Sequence, residues 1–231
     1  CIYTVNTGLY DGMNLYLQKQ PIDTLYYTDS FPLIYKCIEK GLIPFYVDTH
    51  NKETKLAQRL IKTNPSAYVP HHYAMSIYVH ANITLKHPID ISYQRMMNLV
   101  NELKEDNNYV MTCFRHPTRR GVLEEAAHVR ILKLVSTENL NKMYNLYHVD
   151  NFKDDVGLTE TNCLIRKHAP LVRFHEDWNK CITICRRDQL SFDFLLFKHN
   201  ISYNRKSNVT KKSFLDKKKL NLKNISQIYV N

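Results

Sequence analysis

Glycine is scarce in this 231-residue chain, at five residues, and the single tryptophan is Trp178. No GxxxxGK[ST], GxGxxG or GxSxG motif occurs, which excludes a phosphate-loop NTPase, a dinucleotide-binding enzyme of the usual fingerprint and a serine hydrolase built on a nucleophile elbow. The six cysteines (Cys1, Cys37, Cys113, Cys163, Cys181 and Cys185) contain no CxxC pair, so a structural zinc site has no framework and buried free thiols in a reducing compartment are expected. No run approaches the roughly 18 apolar residues of a membrane span. The opening CIYTVNTG has neither the basic start nor the apolar length of a signal peptide. The expectation is a soluble chain without a membrane span, cytoplasmic in a cellular or viral setting. It opens on Cys1 and enters a strand-like run at once, as a piece of a longer protein would.

Acidic residues are also in deficit: 22 Asp and Glu face 32 Lys and Arg, a net charge of +10. The excess is concentrated. Residues 204–231 carry Arg205, Lys206, Lys211, Lys212, Lys217, Lys218, Lys219 and Lys223 against Asp216 alone. This predicts a domain over residues 1–203 followed by a solvated Lys/Asn-rich tail over 204–231. Such a tail touches phosphates or acidic surfaces without sequence selectivity, so no specific nucleic acid is expected.

Short apolar runs alternate with helical patterns through residues 1–203, which predicts an α/β fold. Strands are expected at Ile2–Val5, Leu25–Tyr27, Pro44–Val47, Met75–Val79, Tyr109–Phe114 and Cys163–Ile165. Helical spacing marks Lys52–Ile61, Ile91–Lys104, Glu124–Val135, Pro170–Cys181 and Leu190–Phe197. In open α/β sheets ligands bind beyond the carboxyl ends of the strands, which draws attention to Asn6, Asp29 and His80.

Arg186-Arg187-Asp188-Gln189 stands immediately before an apolar run, where ionised groups are costly unless each finds a partner. Either Asp188 caps a helix or the cluster meets a ligand. Arg115-His116-Pro117-Thr118-Arg119-Arg120 sets three guanidinium groups and an imidazole in one loop, a composition suited to a diphosphate; the alternative is an exposed turn paired with Glu124 and Glu125. Glu124 and Glu125 also suit the first turn of a helix for reasons of dipole alone. Glu160, just before an apolar strand, is either an acceptor-hydroxyl binder or base, or simply solvated.

Four segments in order, IYVHANITL, FRHPTRRGVLEEA, GLTETNCLIRKH and RRDQLSFDFLLFKHN, resemble over nearly the whole chain to about Tyr203 a GT-A-type glycosyltransferase-like family. That family was long catalogued as a domain of unknown function, with plant, bacterial and large-virus members. The resemblance implies a Rossmann-like GT-A single domain with a central mixed, mostly parallel sheet flanked by helices. It implies transfer of a sugar, in the hexosyltransferase class, from a nucleotide-diphosphate sugar to a glycan or other hydroxyl acceptor. Asp188, Gln189 and Glu160 would be catalytic, the Asp-Gln pair leaning towards a retaining course. Asn6, Asp29, Arg59, Lys62, His116 and Arg187 would bind the donor. The implied cofactor is a divalent cation, Mn²⁺ or Mg²⁺, with His80 and Asn82 as its ligands. Relatives carry Asp-Gly-Asn where this chain has His80-Ala81-Asn82, and losing that carboxylate removes the best oxygen ligand for a hard cation. The competing expectation is a non-catalytic protein of the same fold that binds a glycan or a partner through a degenerate crevice.

Overall fold

The computed structural model describes residues 1–8, 21–49 and 53–217. Seven strands form one sheet in the order β3-β2-β1-β4-β7-β6-β8. They are β1 (Ile2–Asn6), β2 (Thr24–Thr28), β3 (Ile43–Tyr46), β4 (Met75–Val79), β6 (Met111–Phe114), β7 (Cys163–Lys167) and β8 (Tyr203–Lys206). Strand β7 is antiparallel to both neighbours and every other pairing is parallel. The fold is therefore α/β around a mixed, mostly parallel sheet flanked by helices, as expected. The central strands are buried along their whole length, which is why they read as unbroken β-branched and aromatic runs.

Side chains alternate across this sheet and divide the interior in two. Tyr3, Val5, Tyr27, Tyr78 and Cys113 face one core, completed by Phe174, Trp178, Phe192 and Phe194. Those last four come from α7 (Val172–Ile184) and α8 (Asp188–Lys198), which pack with α2 (Thr54–Thr63) and α5 (Val122–Ile131). Ile2, Ile77, Val79, Phe114 and Ile165 face the other core, with Met96, Leu99 and Leu103 of α4 (Ile89–Glu105). Trp178 is fully buried, and all six cysteines are free, five of them buried.

Several boundaries move for identifiable reasons. Helix α5 stops at Ile131 rather than continuing to Val135, because Lys133 takes a positive φ of 54° that no helix can continue through. Pro170 opens a short 3-10 turn, Ala169–Leu171, before α7 begins. Before residue 203, three helices have no counterpart among the sequence expectations: α1 (Phe31–Glu39), the short α3 (Pro65–Tyr68) and α6 (Thr137–Val149). Helix α1 buries only Leu33 and Cys37 and leaves Phe31, Tyr35 and Ile38 exposed, so only part of its apolar face meets the core.

The boundary drawn at residue 203 does not hold for the described residues. Strand β8 extends the sheet beside β6, α9 (Asn208–Lys212) follows, and β9 (Leu215–Lys217) pairs antiparallel with β5 (Ile83–Leu85). Phe214 is fully buried against Phe114, their ring centres 5.9 Å apart. Residues 204–217 therefore belong to the domain, and the rest of the expected tail, 218–231, lies outside the described residues.

Candidate active site

All strands but β7 run the same way, so their carboxyl ends share one edge of the sheet. The reversal of β7 brings its leading segment, Glu160-Thr161-Asn162, to that same edge. A cavity of about 340 Å³ opens there, lined by residues from segments far apart in sequence. Arg59 and Lys62 come from α2, His80 follows β4, and His116 and Arg119 follow β6. Glu160 to Asn162 precede β7, Arg187 to Gln189 open α8, and Lys217 ends β9.

At its floor Lys62 and Asp188, 5% and 8% exposed, form an ion pair. Thr161 closes the triangle: its hydroxyl accepts from Lys62 Nζ at 3.0 Å and donates to Asp188 Oδ2 at 2.7 Å. Burial alone would push the Asp188 carboxyl up, but the Lys62 ammonium and the two hydrogen bonds outweigh it and hold the group well below the usual carboxylate range. Asp188 is thus ionised. It is the first residue of α8 rather than its cap, since Arg187 occupies the capping position and no side chain caps the helix. The Trp178 indole N–H donates to the Asp188 carbonyl at 3.2 Å, fixing the start of α8 against the core. The Tyr3 hydroxyl, at 3.0 Å, and Arg166 Nη2, at 3.1 Å, both donate to the Lys62 carbonyl near the end of α2, where a cation also suits the helix dipole.

A second buried carboxylate organises the rim. Glu125, fully buried in the first turn of α5, pairs with Arg119 and, at 2.9 Å, with Arg187. It holds two guanidinium groups side by side at the cavity wall. Glu124 instead accepts the Arg120 backbone N–H, so of the three loop arginines Arg119 is the one whose guanidinium meets a glutamate among the described residues, and Arg119 with His116 lines the cavity. His116 Nδ1 accepts the Arg119 backbone N–H at 2.9 Å.

Glu160 lines the cavity already satisfied. Its Oε1 accepts from Asn162 at 2.8 Å, and its Oε2 accepts from Asn208 at 2.9 Å and from the Lys211 ammonium. Lys211 also donates to Asn162 Oδ1 at 3.1 Å. The loop carrying Glu160 is anchored from behind by the buried Asp193 of α8, which accepts the Thr159 N–H at 2.7 Å and its hydroxyl at 2.6 Å, and pairs with Arg205.

The cavity thus unites Arg59, Lys62, His80, His116, Glu160, Arg187, Asp188 and Gln189. Asn6 and Asp29 are not in its lining. Asn6 is buried and donates to the Tyr26 hydroxyl at 3.0 Å, while Asp29 accepts from the Gly8 N–H and from Thr49, both at 3.0 Å, so their strand ends stand apart from the cavity that β4, β6 and β7 frame. Asn82 is outside the lining too, and its backbone N–H lies 3.4 Å from His80 Nδ1. Burial, with Lys62 nearby, brings His80 down to about 4. The residues absent from the sequence expectations are Gln58, Tyr78, Thr161, Asn162, Lys211 and Lys217. Thr161 and Asn162 adjoin Glu160 in the TETN segment, whereas the two lysines carried no signal beyond a charge run.

The site does not fit a divalent cation. Among the described residues no three His, Cys, Asp or Glu side chains converge to hold a metal. The two carboxylates that line the cavity already meet ammonium groups, Asp188 that of Lys62 and Glu160 that of Lys211.

No family model matches the chain, and no curated protein matches it. Solved structures similar to it include the apo WbbM bifunctional glycosyltransferase, at 8% identity and a TM-score of 0.49, over 89% of this chain and 38% of that one. Another is a CMP:2-keto-3-deoxy-manno-octonic acid synthetase complexed with CTP, at 9% identity and a TM-score of 0.48, over 89% of this chain and 88% of that one. A third is core-mannan synthase A from Aspergillus fumigatus in its Mn/GDP form, at 10% identity and a TM-score of 0.45, over 88% of this chain and 72% of that one. The chain spans well under half the length of the first. Likeness at this level assigns no chemistry to this protein.

Proposed function

We propose that the protein is a glycosyltransferase that moves a sugar from a nucleoside-diphosphate donor to a hydroxyl acceptor. The observation that carries this reading is the composition of the cavity: Arg59, Lys62, Arg119, Arg187 and Lys217 face Asp188 and Glu160, an excess of positive charge around an ionised, hydrogen-bonded carboxylate. Breaking the bond from the anomeric carbon to the diphosphate oxygen leaves new negative charge on the diphosphate. Preorganised cations in a partly enclosed site stabilise that charge more than water does. Asp188 spends Oδ2 on Lys62 and Thr161, which leaves Oδ1 to orient the hydroxyls of the donor sugar. Gln189, whose Nε2 lies 3.5 Å from the Thr159 carbonyl, supports the same face. With both oxygens of Glu160 engaged, its role is to hold acceptor and loop in register rather than to take a proton. The mixed sheet with one reversed strand agrees with the GT-A-like architecture that the sequence motifs imply.

The test is turnover: the purified chain is incubated with a panel of UDP- and GDP-sugars and hydrolysis or transfer is followed. Release of nucleoside diphosphate from one donor is expected, and none from any donor would end the enzymatic reading. A non-catalytic glycan- or partner-binding protein is the second reading, favoured by the prior engagement of both cavity carboxylates with lysines. Binding of a glycan with no binding of nucleoside diphosphate would support it.

A further inference from the structure

We propose that the cavity binds its nucleoside diphosphate without a divalent cation, side-chain cations supplying the charge that a metal would otherwise bring. The proposal rests on the glycosyltransferase reading and adds how that same site handles charge. Its basis is the disagreement between the donor set and a metal. A hard cation of the Mg²⁺ or Mn²⁺ kind needs several oxygen ligands, carboxylates above all. Here Asp188 Oδ2 is shared by Lys62 and Thr161, and Glu160 Oε2 by Lys211 and Asn208. A metal at either carboxylate would sit directly beside a buried ammonium group, since Lys62 and Lys211 are 5% and 6% exposed. Two like charges brought together there would repel strongly.

The remaining cations are set up for an anion of diphosphate size. Arg119 and Arg187 project from one buried carboxylate, Glu125, which restrains both guanidinium groups without cancelling their joint charge. Arg59 faces the same space from α2 and makes no hydrogen bond to another described residue, so its donors are available to a phosphate. Guanidinium groups bind phosphate oxygens through paired, charge-assisted hydrogen bonds, which replace the metal's role in clamping a diphosphate as well as its charge. Lys211 reaches the site from the basic C-terminal segment, which gives that segment a part in the chemistry of the cavity.

The experiment is calorimetric titration of the full chain with UDP and with GDP, first in excess EDTA and then in Mn²⁺. The expected result is binding of one nucleotide with affinities within about threefold of each other in the two conditions, a difference well under the tenfold that 1.4 kcal/mol represents. Arg59→Ala, a half-buried position whose loss opens no core, should weaken that binding about tenfold or more in EDTA, the scale of a lost charge-assisted hydrogen bond, at unchanged melting temperature. Binding that appears only when Mn²⁺ is added would overturn the proposal and leave the glycosyltransferase reading intact. Equal binding by wild type and Arg59→Ala would overturn it as well, because the anion would then lie elsewhere. Absence of binding by either nucleotide in both conditions would sink the underlying reading and the proposal with it.

Discussion

Lys62 and Asp188 make the contact on which the cavity floor depends, and each is tolerable in the interior only because of the other. Removing one partner of a buried pair commonly costs about 3–5 kcal/mol, because the other is left charged and unpaired. Asp188→Asn should therefore lower the melting temperature measurably and, at equal folded fraction, reduce turnover by about 10²-fold, the scale of one preorganised electrostatic contact. A capping role predicts neither loss, since Asn caps about as well as Asp. A thermal melt and a turnover assay on this one variant separate the two. Stability should also depend on pH through histidine. Burial, with Arg166 nearby, takes His168 down to about 4 and His175 well below its ordinary value, and His80 behaves like His168. The unfolded chain takes up protons near 6.5, whereas the folded one resists them. The stabilisation is complete above about 6.5 and is lost as pH falls towards 4. Urea unfolding between pH 7 and 4 should show a steadily falling midpoint, and a flat profile would contradict these assignments. Asp188 acts in a lower window, its contribution fading only below the ordinary carboxylate value of 3.8.

At the scale of elements, the β5–β9 ribbon decides whether the basic C-terminal segment is appendage or structure. Phe214 is fully buried between this ribbon and α4, in the core that also holds Phe114 and Met96. Phe214→Ala should destabilise by about 3–5 kcal/mol, as truncation of buried aromatics does. A free tail would leave the melting temperature unchanged. The same distinction marks what a sequence can show. Met75–Val79 and the IYTV run of β1 are legible because a buried parallel strand must be apolar throughout, and α4 because one face is greasy at helical spacing. Strand β8, by contrast, is Tyr-Asn-Arg-Lys, half-buried at the sheet edge, and nothing in those four residues signals a strand. Its place is set by pairing with β6, a relation 92 residues away in register at Met111 and Tyr203.

For the whole molecule, the site is an edge where many segments meet. Asp188 and Gln189 are legible as a polar cluster beside an apolar run, and Glu160 as a carboxylate before an apolar strand, whereas Lys62 and Arg59 enter only through the family resemblance. Which of them meet was not legible. Lys62 and Asp188 are 126 positions apart, and Lys211 and Glu160 are 51. Asn6 and Asp29 look equally suitable in sequence, at the ends of strands, yet the cavity forms around β4, β6 and β7, and only the reversed β7 explains why Glu160 joins it. The central claim is that this edge holds a nucleoside diphosphate against its cations. Crystals of the full chain soaked with UDP or GDP test it most directly. The account predicts diphosphate density within hydrogen-bonding reach of Arg59 and Arg187, beside the Lys62–Asp188 pair, and density seated instead at the strand ends of Asn6 and Asp29, away from these side chains, would contradict it.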